Sequence, residues 1–291
     1  MGGSSVFFVI SFFPVFFTFM SSFKSNMDIL TTGNSIFPRE FVLDNYVKAW
    51  ELADFSTYTK NSIFLSVFCV IGAIISSTCC GYVFSRGKFR GKEFVYYLMI
   101  SSMFVSLGTL TLYPLLMIMK VIGLNKSLWG VIIIRVFGMN VTNLFIARGY
   151  INTIPTEIDE AAKIDGCSFF RIYYNIIFPL CKPLIATVGI LAFRSSWNDY
   201  MLPMVFTMTD PKRMPLVVGI MRLKSSGAAA SSWNLILAGT AISMIPMMII
   251  YLMSMMFPEP VTVRIGSEYT LPGFVMIVPD VVTVMSTAAL A

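Results

Sequence analysis

Histidine is absent from this chain and charge is scarce: Asp, Glu, Lys and Arg make up 12% of its 291 residues, against roughly 25% in ordinary soluble domains. The five cysteines (Cys69, Cys79, Cys80, Cys167, Cys181) form no C-x-x-C pair and mostly fall in apolar runs. Metal, disulfide and Cys/His nucleophile chemistry therefore have no basis here, and no catalytic or metal-binding residue is assigned. There is no G-x-x-x-x-G-K-[ST] phosphate loop, so any nucleotide must bind elsewhere. Internal repeats, low-complexity tracts and a hydrophilic stretch long enough to fold alone are also missing. The net charge of +6 is spread singly over loops and helix ends, which argues against a nucleic-acid partner. What remains is a chain that is 56% hydrophobic, the composition of an integral membrane protein.

Its apolar runs are long enough to cross roughly 30 Å of hydrocarbon, which takes about 20 residues as helix. They predict six spans, at about Ser4–Phe23, Asn61–Phe84, Phe94–Ile122, Leu128–Ala147, Leu184–Met208 and Trp233–Phe257. The first run has no preceding Lys or Arg and no small-residue cleavage site after it, so it reads as a span rather than a secretory signal; any cytoplasmic leader ahead of it is expected to have been lost or never present. Between the first two spans, Phe41–Phe55 predicts an amphipathic helix outside the membrane. The link RGKFRGK packs Arg86, Lys88, Arg90 and Lys92 into seven positions and is expected on the cytoplasmic side. Both termini then share that side. The loop after the fifth span, with Lys212, Arg213, Arg222 and Lys224, falls outside and runs against the bias.

One segment interrupts the apolar pattern. Glu157 to Pro179, EIDEAAKIDGCSFFRIYYNIIFP, carries Glu157, Asp159, Glu160 and Asp165 close together, a cluster that hydrocarbon would not tolerate. Pro155 suits a first helical turn, Thr156 is a candidate cap, and the acids that follow complement the helix dipole. Gly166 is the expected left-handed stop. Ser168 can cap a second helix running to Pro179. From the residues alone, this is either a docking surface or an interfacial hairpin with no partner.

The spacing Glu160-Ala161-Ala162, three residues, Gly166, nine residues, Ile176, one residue, Phe178-Pro179 resembles the EAA loop of ABC-importer membrane subunits, with Phe178 where Leu is usual. INTIPTEIDEAAKIDG from Ile151 and SSWNDYMLPMVF from Ser195 are similar to segments of carbohydrate importers. Pro14 to Lys24 and DNYVKAW are similar to the smaller membrane subunit of maltose-type systems. The resemblance implies an all-α integral membrane fold with six transmembrane helices in a type I ABC-importer-like arrangement, a permease domain over residues 1–257 and an EAA coupling loop over 153–179. It implies that the loop docks in an ATPase subunit through Glu160, Ala161, Ala162, Asp165, Gly166, Ile176 and Pro179, the two alanines permitting close approach.

Implied partners are a second related permease subunit, two ATPases holding ATP and Mg, an extracytoplasmic solute-binding protein, a sugar or oligosaccharide, and the lipid of a bacterial or archaeal plasma membrane. This chain itself would bind no cofactor. Residues 258–291 depart from the family's short basic tail: they hold a single basic residue, Arg264, and four prolines. They read as a divergent partner-binding tail or the product of a shifted reading frame, with no seventh span.

Polar groups inside the predicted spans are expensive in lipid and are candidates for a substrate path or for helix packing. They are Asn140 and Asn143 in the fourth span and Arg194, Trp197, Asn198 and Asp199 in the fifth. Arg194 and Asn198 are spaced to meet on one helix face. A standalone ion-coupled transporter is the main rival, but it calls for intramembrane carboxylates and inverted repeats, and Asp199 is the only acid well inside a span. A scaffold protein or a membrane enzyme has still less to stand on.

Overall fold

A computed structural model describes residues 2–31, 35–52, 54–105, 108–225, 233–256, 263–265 and 269–271. In chain order the helices are α1 (Gly2–Ser22), α2 (Asn26–Thr31), α3 (Asp44–Leu52), α4 (Phe55–Arg86), α5 (Lys92–Ser102), α6 (Leu112–Ile122), α7 (Leu128–Phe137), α8 (Val141–Thr153), α9 (Thr156–Ile164), α10 (Phe169–Ile172), α11 (Phe178–Leu180), α12 (Lys182–Trp197), α13 (Met201–Thr207), α14 (Leu216–Ser225) and α15 (Trp233–Met256). A π-helical turn, Tyr173–Ile177, joins α10 to α11. In the tail, Val263–Ile265 (β1) and Tyr269–Leu271 (β2) pair antiparallel, Val263 opposite Leu271. The rest of the expected tail, including Leu271–Val284 beyond its first residue, lies outside the described residues.

Among the described residues, two helices are by themselves long and apolar enough to cross a membrane, Phe55–Arg86 and Trp233–Met253. Two bent pairs qualify when each is joined: Leu128–Phe137 with Val141–Thr153, bent by 45°, and Phe169–Leu180 with Lys182–Trp197, bent by 80°. The Phe12–Ser22 part of α1 is apolar, as is the stretch Gly108–Ile122, in which a 3-10 turn over Gly108–Thr111 leads into α6.

Three predicted spans are thus not single helices, and each break has a local cause. Phe94–Ile122 divides into α5 and α6. Ser102 turns its hydroxyl back to the Met99 carbonyl (2.6 Å), and Pro114 sits in the first turn of α6, a position that suits a new helix and not the middle of a continuous one. The Leu128–Ala147 run bends because Met139 adopts φ 25° and Asn140 starts a new helix. Leu184–Met208 stops at Trp197 and restarts at Met201. There the Asn198 amide donates to the Arg194 carbonyl (3.1 Å), competing with the helical ladder.

The chain forms two compact units. One comprises residues 1–66, 112–131 and 194–252. Its polar groups tie loops to helix ends: the Asn45 amide donates to the Ser22 and Lys24 carbonyls (3.0 and 2.8 Å) and its oxygen accepts from Asn234 (2.7 Å). Asn61 donates to the carbonyls of Lys212 and Met214 (2.8 and 3.0 Å). Lys24 is fully buried; its ammonium donates to the Ser35 carbonyl and lies 5.3 Å from the Phe17 ring centre, so the charge is not left bare.

The second unit comprises residues 67–111, 132–193 and 253–291. Its core joins Tyr82 of α4, Ile146 and Ile151 of α8, Ala162 of α9, Ile177 of the π turn and Leu184 of α12. Helices α4 and α8 approach closely at Gly81, where a Cβ would lie 2.7 Å from the Ala147 Cβ and 3.1 Å from its carbonyl carbon. Small residues permit such contact between apolar helices.

Gly81→Ala should therefore lower the thermal unfolding midpoint of the detergent-purified protein, with an overpacking cost of about 1–3 kcal/mol. At Gly189 a Cβ would meet only side-chain ends at 3.7 and 3.8 Å, so Gly189→Ala should leave the midpoint unchanged or raise it through helix propensity. Equal effects from the two would show that α4 and α8 are not in this contact.

Candidate functional site

The segment from Ile151 to Pro179 is built from the end of α8, the short helices α9 and α10, and a π turn that runs into α11. Pro155 occupies the cap position of α9 and offers no side-chain acceptor, so Thr156 is the first helical residue rather than the expected cap. Glu157 and Asp159 supply negative charge in the first turn, where the helix dipole favours it. The end of α9 is closed as a Schellman motif: Gly166 has φ 77°, its N–H donates to the Lys163 carbonyl (3.0 Å), and the Cys167 N–H donates to the Ala162 carbonyl (3.0 Å). Only glycine takes that backbone conformation without strain. Ser168 then accepts from the Arg171 N–H (3.4 Å) and caps α10, as expected.

The helix that follows is not the regular one the sequence predicts. Its middle is a π turn. Because Pro179 has no N–H and cannot continue an α ladder, a wider turn just before it absorbs the mismatch. The Tyr173 hydroxyl, within that turn, is hydrogen-bonded to Thr78 of α4 (2.8 Å).

The two faces of α9 differ. Asp159 is 3% exposed and accepts from the Tyr82 hydroxyl (2.8 Å) and the Arg86 Nε (3.1 Å). The same guanidinium donates to the carbonyls of Ile151 (3.2 Å) and Ile154. One side chain at the end of α4 therefore holds the end of α8, the following loop and the inner face of α9. A carboxylate buried beside arginine with two charge-assisted bonds is satisfied as well as it can be. Ala162 lies on this inner face and packs into the protein core.

On the outer face are Glu157, Glu160, Ala161 and Ile164, spaced to share one side of a helix. Ile164 is 87% exposed, unusual for an apolar side chain in a nine-residue helix. Asp165 and Gly166 are exposed at the turn; Pro179 is exposed and Ile176 half-buried further along. Of the two alanines, only Ala161 faces outward. Sequence reasoning missed Arg86, Tyr82, Ile164 and the inward role of Asp159; the i, i+3, i+4, i+7 spacing of Glu157, Glu160, Ala161 and Ile164 is the signal that would have sorted the faces. Nearby, Arg148 binds Glu93 through two bonds (2.8 and 3.0 Å) and lies 3.7 Å over the Tyr96 ring. Lys92 donates to the Ser85 carbonyl (2.9 Å). Desolvation, and then repulsion from Arg148, moves its ammonium below the ordinary lysine range.

The predicted path residues fall in separate places. Asn140 accepts from the Thr142 N–H (2.9 Å) and is the N-cap of α8; Asn143 is buried in the same helix. In the other unit, Trp197 is 2% exposed and donates to the Ser243 carbonyl (3.1 Å) on α15. Arg194 and Asn198 are exposed and Asp199 half-buried. Arg194 and Asn198 do meet, but through the backbone carbonyl rather than the guanidinium. Arg135, half-buried in α7, is a further charged group in an apolar helix and belongs with these candidates.

Neutralising Asp159 should loosen α9 without touching its outer face. In Asp159→Asn, tryptic cleavage after the exposed Lys163 should speed by about tenfold or more, since disrupting a buried pair costs about 3 kcal/mol or more. Glu160→Gln should cleave at the wild-type rate. A wild-type rate in Asp159→Asn would mean that the Arg86 contact does not hold the segment.

Comparison with known proteins places this geometry in context. Residues 73–263 match the family model described as binding-protein-dependent transport system inner membrane component. The chain is 28% identical over 243 residues, 84% of its length and 80% of the relative's, to the diacetylchitobiose uptake system permease protein of Streptomyces coelicolor. It is 29% identical over 248 residues, 84% of its length and 86% of the relative's, to the galactooligosaccharides transport system permease protein of Bacillus subtilis. Among solved structures it is similar to a bacterial ABC transporter involved in the import of the acidic polysaccharide alginate, with a TM-score of 0.73 and 24% identity over 87% of this chain and 92% of that one, a likeness of fold. With the family model matching about two thirds of its length, the chain belongs to the family of binding-protein-dependent transport system inner membrane components.

Proposed function

We propose that this chain is a permease subunit of an ATP-driven ABC importer that moves a sugar or oligosaccharide into the cytoplasm. The observation that carries the reading is the division of α9: an inner face locked to α4 and α8 through Asp159, and an outer face of Glu157, Glu160, Ala161 and Ile164 left open. A nine-residue helix has little stability of its own, so one that presents a small residue, an exposed Ile and acids to water is built to be covered. In this reading the cover is an ATPase subunit, with Glu160 meeting a basic group, Ala161 allowing close contact and Ile164 entering an apolar recess.

The mechanism follows from rigidity. When two ATPases close on ATP and Mg, each draws its docked helix along, and the Arg86 contact passes that displacement to α4 and α8. Transmembrane helices then rock between inward-open and outward-open arrangements. A second related permease completes the pathway, and an extracytoplasmic solute-binding protein delivers the substrate. The assembly sits in a bacterial or archaeal plasma membrane, with six spans that include the bent pairs and the shorter apolar helices. Exposed Arg194 and Asn198 are the path residues most open to a sugar, although the Asn198 amide already donates to the Arg194 carbonyl; Asn140 and Trp197 are held in structural bonds as the cap of α8 and as a buried donor to Ser243. The carbohydrate class rests on the relatives, whose names specify diacetylchitobiose and galactooligosaccharides.

Glu160→Lys and Ala161→Trp change exposed positions and should leave the chain folded. Each should reduce co-purification of the ATPase and uptake by about tenfold or more, the size of losing about 1.4 kcal/mol of binding. Unchanged co-purification and uptake would remove the docking assignment. Asn198→Ala should alter uptake while ATPase co-purification stays at the wild-type level; normal transport of every sugar tested would assign Asn198 to helix packing alone.

A further inference from the structure

The basic link after α4 divides its charges between two tasks. Arg86 turns inward to Asp159 and the carbonyls at the end of α8, and Lys92 turns to the Ser85 carbonyl. Lys88 and Arg90 are exposed, and among the described residues no ion pair reaches either. The acid that could neutralise them, Glu93, is engaged by both oxygens with Arg148. Between the two cations Phe89, 45% exposed, leans on Phe84 with ring centres 6.0 Å apart.

Directly after this loop, α5 opens with an exposed apolar face: Phe94, Tyr97 and Leu98 are 72%, 63% and 57% exposed and share one side of the helix. Two uncompensated cations beside an apolar stripe match an amphiphile with an anionic head and hydrocarbon tails. A soluble anion would have no use for the stripe.

We infer that Lys88 and Arg90, with the Phe94, Tyr97 and Leu98 face of α5, form a binding site for an anionic phospholipid of the cytoplasmic leaflet. The inference rests on reading α4 as a membrane span, but it does not depend on ATPase docking. Charge complementarity selects the occupant: cations just cytoplasmic of a span draw anionic headgroups, each contributing about fivefold in affinity near the surface. The acyl chains lie along α5 while the phosphate bridges the two side chains. Because Arg86 lies just two residues before Lys88, a lipid held there steadies the end of α4, whose Tyr82 and Arg86 hold Asp159 of α9.

The test uses the full chain in nanodiscs of phosphatidylcholine with a minority of phosphatidylglycerol, retained lipid being read by native mass spectrometry. The wild type should retain phosphatidylglycerol selectively. Lys88→Gln/Arg90→Gln, at exposed positions that no ion pair reaches among the described residues, should lose about twenty-five-fold of that preference. Lys126→Gln/Lys212→Gln removes the same net charge elsewhere and should retain it. Phe94→Asn should weaken retention of both lipids at this site. Unchanged preference in the first variant, or equal loss in the charge-matched control, would overturn the site. Loss of ATPase co-purification in the docking variants bears on the proposed function alone, so the two readings fail separately.

Discussion

The bond set around Arg86 is the constraint on which the placement of α9 depends. A nine-residue helix, α9, stands between two turns and cannot hold its own orientation in water. Asp159 gives it a fixed inner edge by accepting from Tyr82 and Arg86 at once, and the Nη2 group of the same guanidinium donates to the Ile151 and Ile154 carbonyls where α8 ends. An ion pair of this kind is a modest source of net stability, since burying both charges costs nearly as much as their attraction returns. Its value is directional. Apolar packing would hold α9 just as firmly yet allow it to roll, whereas two oxygens with assigned donors permit one arrangement.

The same trade between cost and geometry explains the broken helices. A continuous apolar helix satisfies every backbone group internally, so each interruption must be repaid locally by a specific side chain. Asn140 satisfies the start of α8, Ser168 the start of α10, and the Gly166 turn the end of α9. Asn198 bonds its own preceding turn. Polar residues that look, in a string of letters, like the lining of an aqueous path are thus partly the fittings that let helices bend.

The α9 turn was legible from the residues because its determinants are local: an acidic first turn, a glycine at the stop and a serine after it lie within about a dozen positions. The Arg86 contact was not, because its partners are 73 positions apart and Arg86 reads equally well as one of four topological charges. The failure to anticipate the splits in Phe94–Ile122 and Leu184–Met208 has a physical source. Hydropathy averages over a window the length of a span, and a single Ser102 or Asn198 that redirects one carbonyl barely moves the average. Ala162 shows the converse error. Its pairing with Ala161 suggests a shared small-residue face, but neighbours in a helix point about 100° apart, and only one of them faces outward.

Placing both functions of the basic link on one stretch has a mechanical consequence. The last turn of α4 carries Tyr82 and Arg86, which hold α9, and the next residues carry Lys88 and Arg90, which face the leaflet. Any displacement of α9 relative to the membrane must therefore pass through a segment pinned on both sides within a few residues. A flexible linker there would absorb the motion. A segment fixed by Asp159 on one side and by lipid on the other transmits it to the long helix Phe55–Arg86 as a tilt, because a 32-residue helix bends far less readily than a loop unfolds. The division of four like charges into one inward and one outward pair is what turns a topological signal into a lever.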